Sequence, residues 1–340
     1  MNDLDKIRQI EKILKIKFED INILKSDSFV EPERWDSPRY ELNANGQLTK
    51  LKLDSCSIKN LNLELIIFPL KELNNLKELN LWNNEISDFS LLKVLHSLEE
   101  LILTYNNVDD ISCINELKSL SRLFLSNNQI SDISPLKGLE GLWVINLNNN
   151  RISDISILKE LKSLTRLHLS SNQISDIYPL IKLINVKSID LSNNHIKDIS
   201  PLTVLKNLEQ LNISNNLIND FYPLKELKSL LELNLDNNNI SDISSLKELK
   251  NLTRLHLSNN QINNISPLSE LKNLTEITLD NNNISDISSL KELKNLTRLH
   301  LSNNQINNIS PLSELKNLTE ITLDNNNISD ISSLKELKNL

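Results

Sequence analysis

Three histidines, His168, His256 and His300, fall at one repeated position of this 340-residue chain, the last two 44 residues apart. Imidazoles in register are raw material for a zinc site. A second recurring group is acidic: Asp88, Asp110, Asp132, Asp154, Asp176, Asp198, Asp220, Asp242, Asp286 and Asp330 share another position. A carboxylate column offers oxygen ligands to hard cations. Spacing argues against both uses. Strands two apart lie roughly 10 Å from each other, and one zinc ion with bonds of about 2 Å cannot bridge that. Asp at the start of a turn accepts hydrogen bonds from turn backbone, which is the role expected here. The chain has no glycine-rich phosphate loop, no paired catalytic carboxylates and no Cys/His arrangement outside the repeat. The expectation is therefore no enzyme, no cofactor and no metal.

These groups are positioned by a repeat, L-x-x-L-x-L-x-x-N-x-I-x-x-I-x-x-L-x-x-L-x-x. It opens at Leu48, Leu76, Leu98, Leu120, Leu142, Leu164, Val186, Leu208, Leu230, Leu252, Leu274, Leu296 and Leu318, a first step of 28 residues and 22 thereafter. A unit this short with one apolar face must stack on copies of itself. In the copy beginning at Leu252, Leu255 and Leu257 are two apart and face the core of a short strand, while Arg254, His256 and Ser258 face out. Ile262, Ile265, Leu268 and Leu271 follow at spacings of three, which suits short 3₁₀ or irregular turns. Between them stands one Asn per copy: Asn84, Asn106, Asn128, Asn150, Asn172, Asn194, Asn216, Asn238, Asn260, Asn282, Asn304 and Asn326, with Cys56 in the first copy. A carboxamide both donates and accepts, so this column is a candidate structural ladder for buried turn backbone.

The segment "LTRLHLSNNQINNISPLSELKN" resembles the leucine-rich repeat family in its 22-residue subclass. It is especially similar to internalin-type repeats and to those of Sds22 phosphatase regulators. The resemblance covers residues 48–340 and implies an α/β solenoid: a right-handed horseshoe with a parallel sheet on its concave face, and a protein or peptide ligand bound there.

Composition fits that reading. Aromatic residues make up 4% and Gly numbers 3, unusual for a conventional enzyme of this length, and a net charge of −8 argues against nucleic acid. The charged N-terminal stretch has no apolar run of signal-peptide length and no segment is long enough to span a membrane, so the cytoplasm is the expected compartment. Cys56 and Cys113 occupy different repeat positions, which disfavours a disulfide.

Residues 1–47 are read as an N-terminal cap. Leu4, Ile7, Ile10 and Leu14 have helical spacing, Ile16 and Phe18 alternate as if opening another element, and Trp35 and Tyr40 are expected to pack on the first coil. Asn45-Gly46 is a hairpin signal that brings Tyr40–Leu42 beside Leu51–Leu53. At the other end Leu252–Asn295 and Leu296–Asn339 are identical, and no C-terminal cap follows. An uncovered last coil raises the possibility of end-to-end self-association.

The outward strand positions are uneven. In copies nine to thirteen they read as Glu232, Arg254, Glu276, Arg298 and Glu320 beside Asn234, His256, Thr278, His300 and Thr322. In copies two to five, Ile102 and Phe124 take the central outward column, with Trp82 and Tyr105 just past it and Trp143 and Val144 just before it. These six are the candidate ligand-binding residues, since exposed apolar clusters rich in Trp and Tyr mark interfaces. The expected function is a non-catalytic protein-interaction module, with no nucleic acid and no membrane. Two alternatives are an internalin-like surface or secreted host-interaction protein and the recognition arm of a Roco-type GTPase truncated after Leu340.

Overall fold

Two Leu side chains per strand, separated by one outward residue, leave room for only three paired residues before the chain must turn. The computed structural model describes residues 2–16, 19–20 and 39–340. They form two compact units, 1–164 and 165–340. Phe18 and Trp35, and with them the alternation expected to open another element and the packing of Trp35 on the first coil, lie outside the described residues.

The first unit opens with α1 (Asp3–Leu14), capped by Asn2, whose Oδ1 accepts the Asp5 amide at 2.8 Å, and burying Ile7 and Ile10. Asp3 ties this helix to the sheet by accepting the Leu48 amide at 2.8 Å. Strand β1 (Glu19–Asp20) runs parallel to β2 (Arg39–Leu42). Strand β2 is antiparallel to β3 (Leu48–Lys52), with Tyr40 opposite Leu51 and Leu42 opposite Leu48. The turn between them is held by Asn43 Oδ1, which accepts the Asn45 and Gln47 amides, and by Gly46 at φ +72°. From β3 onward the pairing is parallel through β4 (Glu78–Asn80), β5 (Glu100–Ile102), β6 (Arg122–Phe124) and β7 (Val144–Asn146). Sequence register and ladder register coincide, so equal repeat positions sit side by side.

Short turns recur as 3₁₀ segments at Ser90–Val94, Ser112–Glu116, Ser134–Leu136 and Ser156–Glu160. The first coil departs from the expected short turn. Its longer step accommodates α2 (Asn60–Leu70), which packs on α1 and buries Leu63, Ile66, Ile67 and Leu70. The opposite stripe of α2, Leu61, Leu65 and Phe68, is exposed. Among the described residues no helix is long and apolar enough to cross a membrane.

The second unit repeats one coil without variation in length. Its strands are β8 (Arg166–His168), β9 (Ser188–Asp190), β10 (Gln210–Asn212), β11 (Glu232–Asn234), β12 (Arg254–His256), β13 (Glu276–Thr278), β14 (Arg298–His300) and β15 (Glu320–Thr322). They pair in parallel in that order. The 3₁₀ turns run from Tyr178–Lys182 to Ser332–Glu336. Within the last coil the inward side chains Ile321, Leu323 and Ile328 are only half-buried and Ile331 is exposed, whereas Ile287 and Ile309 at the same position as Ile331 are 1% exposed.

The Asn column joins coil to coil in both units. Asn194 is typical. Its Nδ2 donates to the carbonyls of Leu169 (3.0 Å), Leu191 (3.1 Å) and Ser192 (3.0 Å), and its Oδ1 accepts the Ile174 amide at 3.0 Å. Asn84 makes the same set between the first and second coils, and Cys56, in place of Asn, gives its own amide to Asn84 Oδ1 at 3.1 Å. The residue before each Asn is left-handed, with φ between +53° and +57° from Asn83 to Asn325. Asn or Ser stands at nearly every such site, because they tolerate that region best among side-chain-bearing residues.

The Asp column caps the turns. Asp88, Asp132 and Asp198 each accept the amide two residues on at 2.8 Å, and Asn264 and Asn308 do the same at 3.0 Å. The Ser90 and Ser200 amides hold the Asp88 and Asp198 carboxyls below their ordinary range.

Two outcomes are expected. Asn194→Ala leaves one amide and several carbonyls of the buried turn without partners and should cost roughly 1–3 kcal/mol in urea denaturation. An unchanged midpoint would show that the column is dispensable. For the Asp caps, a depressed folded-state pKa means stability that is present above about pH 4 and lost as pH falls through the lower folded value. The double variant Asp88→Asn/Asp198→Asn keeps the acceptors and should lose less stability between about pH 5 and pH 3 than the parent chain.

Candidate functional site

Strand register places Ile102, Phe124 and Val144 on the outward side of β5, β6 and β7, and Trp82, Tyr105 and Trp143 lie one to three residues beyond a strand end. Phe124 lies in register with Ile102, and Val144 lies in the neighbouring row with Glu78, Glu100 and Arg122. Trp82 and Tyr105 meet edge to face, with ring centroids 5.9 Å apart and planes at 79°. That is the preferred geometry for an aromatic pair. Tyr105 is 50% exposed, and Trp82, Phe124 and Trp143 are half-buried.

Ile102 and Val144 are placed differently from the sequence expectation of one exposed surface. They are 7% and 2% exposed. The physical reason is height: strands lie only about 4.8 Å apart, so a branched aliphatic side chain next to a larger neighbour, as Ile102 is next to Phe124, sits below the surface. The residues that reach solvent are Trp82, Tyr105, Phe124 and Trp143.

Tyr105 carries a backbone cost. It stands at φ +57°, the left-handed position filled by Asn or Ser in the other coils. An aromatic residue is disfavoured there, and strain of this kind concentrates at functional positions. Its ring is not needed for the core, because Leu101 and Leu103 already fill the inward positions of that strand with no exposure.

A charged row borders the aromatic residues. Lys50 bridges Glu41 at 3.4 Å and Glu78 at 3.1 Å, while Arg122 pairs with Glu100 and reaches Glu78 at 3.5 Å. Glu78 and Glu100 are direct neighbours across β4 and β5. Burial pushes the Glu100 carboxyl above its ordinary range; Arg122 opposes this and the Glu78 charge adds to it. This row was missed in reading the sequence. Two like charges at one repeat position in successive copies were its available signal.

The histidines of the second unit do not gather. His256 Nδ1 lies 3.2 Å from the Thr278 hydroxyl, and His300 Nε2 lies 3.6 Å from Glu320. Arg254 pairs with Glu232 and Arg298 with Glu276 along the same face. Among the described residues no group of three His, Cys, Asp or Glu is placed to hold a metal ion. Cys56 and Cys113 are free thiols, and burial pushes them up to about 12 and about 11. Neither is suited to act as a nucleophile.

Stacked 22-residue coils with an internal Asn column and an aromatic sheet face define a leucine-rich-repeat solenoid. The chain belongs to the leucine-rich-repeat family, of internalin-like type. The family model "Leucine Rich repeats (2 copies)" matches residues 96–138, 140–182, 184–226, 228–269, 250–292 and 294–336. An internalin, InlF, of Listeria monocytogenes is 30% identical with a TM-score of 0.82, covering 99% of this chain and 94% of that one. Internalin C2 of the same organism is 41% identical with a TM-score of 0.54, over 55% of this chain and 82% of that one. A leucine-rich-repeat protein of Leptospira interrogans is 28% identical with a TM-score of 0.71, over 80% and 78%. A comparison with curated proteins finds no match. Proteins of this family commonly act as protein-interaction modules.

The strain at position 105 is measurable. Tyr105→Ala and Tyr105→Asn both delete the ring, but only Asn suits the left-handed backbone. The Asn variant should be the more stable of the two by roughly 1 kcal/mol in chemical denaturation. Equal midpoints would show that position 105 is not held in that conformation.

Proposed function

We propose that this chain is a non-catalytic binding module whose protein or peptide ligand docks on the sheet face of the first unit, at Trp82, Tyr105, Phe124 and Trp143 over Ile102 and Val144. One observation carries the reading: a half-exposed tyrosine kept in a backbone conformation that its side chain disfavours, edge-packed on a half-buried tryptophan. A residue retained against local preference and without a core role is accounted for by what it meets outside the chain. Large aromatic side chains also dominate interface energies.

The similarity to internalin InlF over nearly the whole chain favours a second reading, in which the ligand is a protein outside the cell that makes this one. Protease shaving of intact producer cells separates the two: release of this chain's peptides supports the second, and full protection supports an intracellular ligand.

For the site itself, capture from a lysate with the full chain, followed by titration of the captured partner, gives the test. Trp82→Ala, Phe124→Ala and Trp143→Ala should each weaken binding by roughly 2–4 kcal/mol, and Thr278→Ala in the second unit by under about 1 kcal/mol. Circular dichroism should show all four variants folded. A partner indifferent to the three aromatic changes would refute the site.

A further inference from the structure

The Asn column leaves one amide per coil short of an acceptor. Continuing the parallel ladder would aim the Thr104 amide at the Leu81 carbonyl and the Ser126 amide at the Leu103 carbonyl. Those oxygens are taken: Asn84 and Asn106 donate to Leu81 at 3.0 and 2.9 Å, and Asn106 and Asn128 donate to Leu103 at 3.1 and 2.9 Å.

Elsewhere the chain solves this with a side-chain oxygen from the sheet face. Asn80 Oδ1 accepts the Trp82 amide at 2.8 Å and Asn146 Oδ1 accepts that of Asn148 at 3.0 Å. In the second unit Asp190, Asn212 and Asn234 serve their own strands the same way. On the strands of His256 and His300 the previous strand's Asp supplies the oxygen: Asp236 to the Ser258 amide and Asp280 to the Ser302 amide, both at 2.6 Å.

Strands β5 and β6 break the pattern together. The capping positions hold Ile102 and Phe124, which have no oxygen, and among the described residues neither the Thr104 nor the Ser126 amide has an acceptor. The two amides are neighbours on adjacent strands. The Ser126 hydroxyl donates to Thr104 Oγ1 at 3.1 Å, so the Thr104 hydroxyl hydrogen is a third donor at the same spot. Buried backbone donors are nearly always satisfied, and each exception asks for a reason. Asp280 and Asp324 also lack an acceptor for their amides, but their strands carry Thr278 and Thr322 at the capping position and their own carboxylates repel an incoming carboxylate.

We infer that the ligand of the aromatic surface is a peptide segment presenting an Asn or Asp side chain next to an apolar residue, the side-chain oxygen capping the Thr104 amide while the apolar neighbour packs against Trp82 and Phe124. This rests on the binding reading above and names the chemistry the ligand must bring. The chain itself shows what these amides take, since the caps on β4, β7, β9 to β12 and β14 are all carboxamide or carboxylate oxygens. Thr104 is 5% exposed, so the oxygen enters as the Ile102 side chain turns aside. Exchange of a packed side chain for a hydrogen bond conserves burial and removes an orphaned donor.

The test is selection from a random 12-residue peptide display library on the immobilised full chain, with Trp82→Ala as the counter-target. Enriched peptides should carry Asn or Asp within two residues of an aromatic or branched aliphatic residue. Changing that Asn or Asp to Ala in the synthetic peptide should weaken binding about tenfold or more. Hydrogen exchange at Thr104 should slow in the complex. On Ile102→Asn, which restores the chain's own cap at Thr104, the same peptide change should lose most of its effect. Peptides that depend on Trp82 but lack an Asn or Asp, or that leave exchange at Thr104 unchanged, would overturn the inference and leave the binding surface standing. Enrichment indifferent to Trp82 would sink both.

Discussion

A buried carboxamide that takes backbone carbonyls from two successive coils is the interaction on which the rest of this molecule depends. Asn194 reaches Leu169 in one coil and Leu191 and Ser192 in the next, and returns an acceptor to Ile174. That bonding ends each strand after three residues, because the carbonyl that would extend the ladder is already occupied. It fixes the left-handed residue that precedes it, and so favours Asn or Ser at that position. It also creates the orphaned amide that the sheet face must satisfy. Strand length, turn chemistry and the pattern of outward Asn and Asp residues are consequences of one side chain repeated.

Much of this was legible in the residues. The spacing of Leu and Ile set strand and turn, and the hairpin at Asn43–Gln47 followed from Asn-Gly between two alternating segments. The Asp column capping the turns was legible too, because a short acceptor two residues before an amide has few other uses. Helix α2 was not read. Its sequence is apolar nearly all round, so periodicity offered no face, and it carries Pro69. The signal was the longer first step, which leaves room for an α-helical crossover that no 22-residue coil has.

The candidate site was legible in part. Which side chains leave the core is a matter of alternation, and that placed Ile102, Phe124 and Val144 on the outward side of their strands. How far each one reaches into solvent depends on the heights of neighbours brought together by register, and so Ile102 and Val144 could not be told from Phe124 and Trp143 in advance. The amides of Thr104 and Ser126 were invisible for a deeper reason. An unsatisfied backbone group has no letter in a sequence, and only the contrast with capped strands such as β4 and β7 discloses it.

The identical blocks 252–295 and 296–339 present the same strands, the same Asn bonds and the same Asp-to-Ser reach at 2.6 Å. To the growing end of the stack at β11 they are chemically the same next layer. A nascent chain can therefore dock the second block where the first belongs and extrude the first as a loop. Closing a loop about three times longer costs only about 1 kcal/mol more, so order of synthesis and the two lost interfaces, not recognition, enforce the correct thread. Duplication lengthened this protein at no cost in fit and left it with a topological ambiguity that the divergent coils of the first unit do not share.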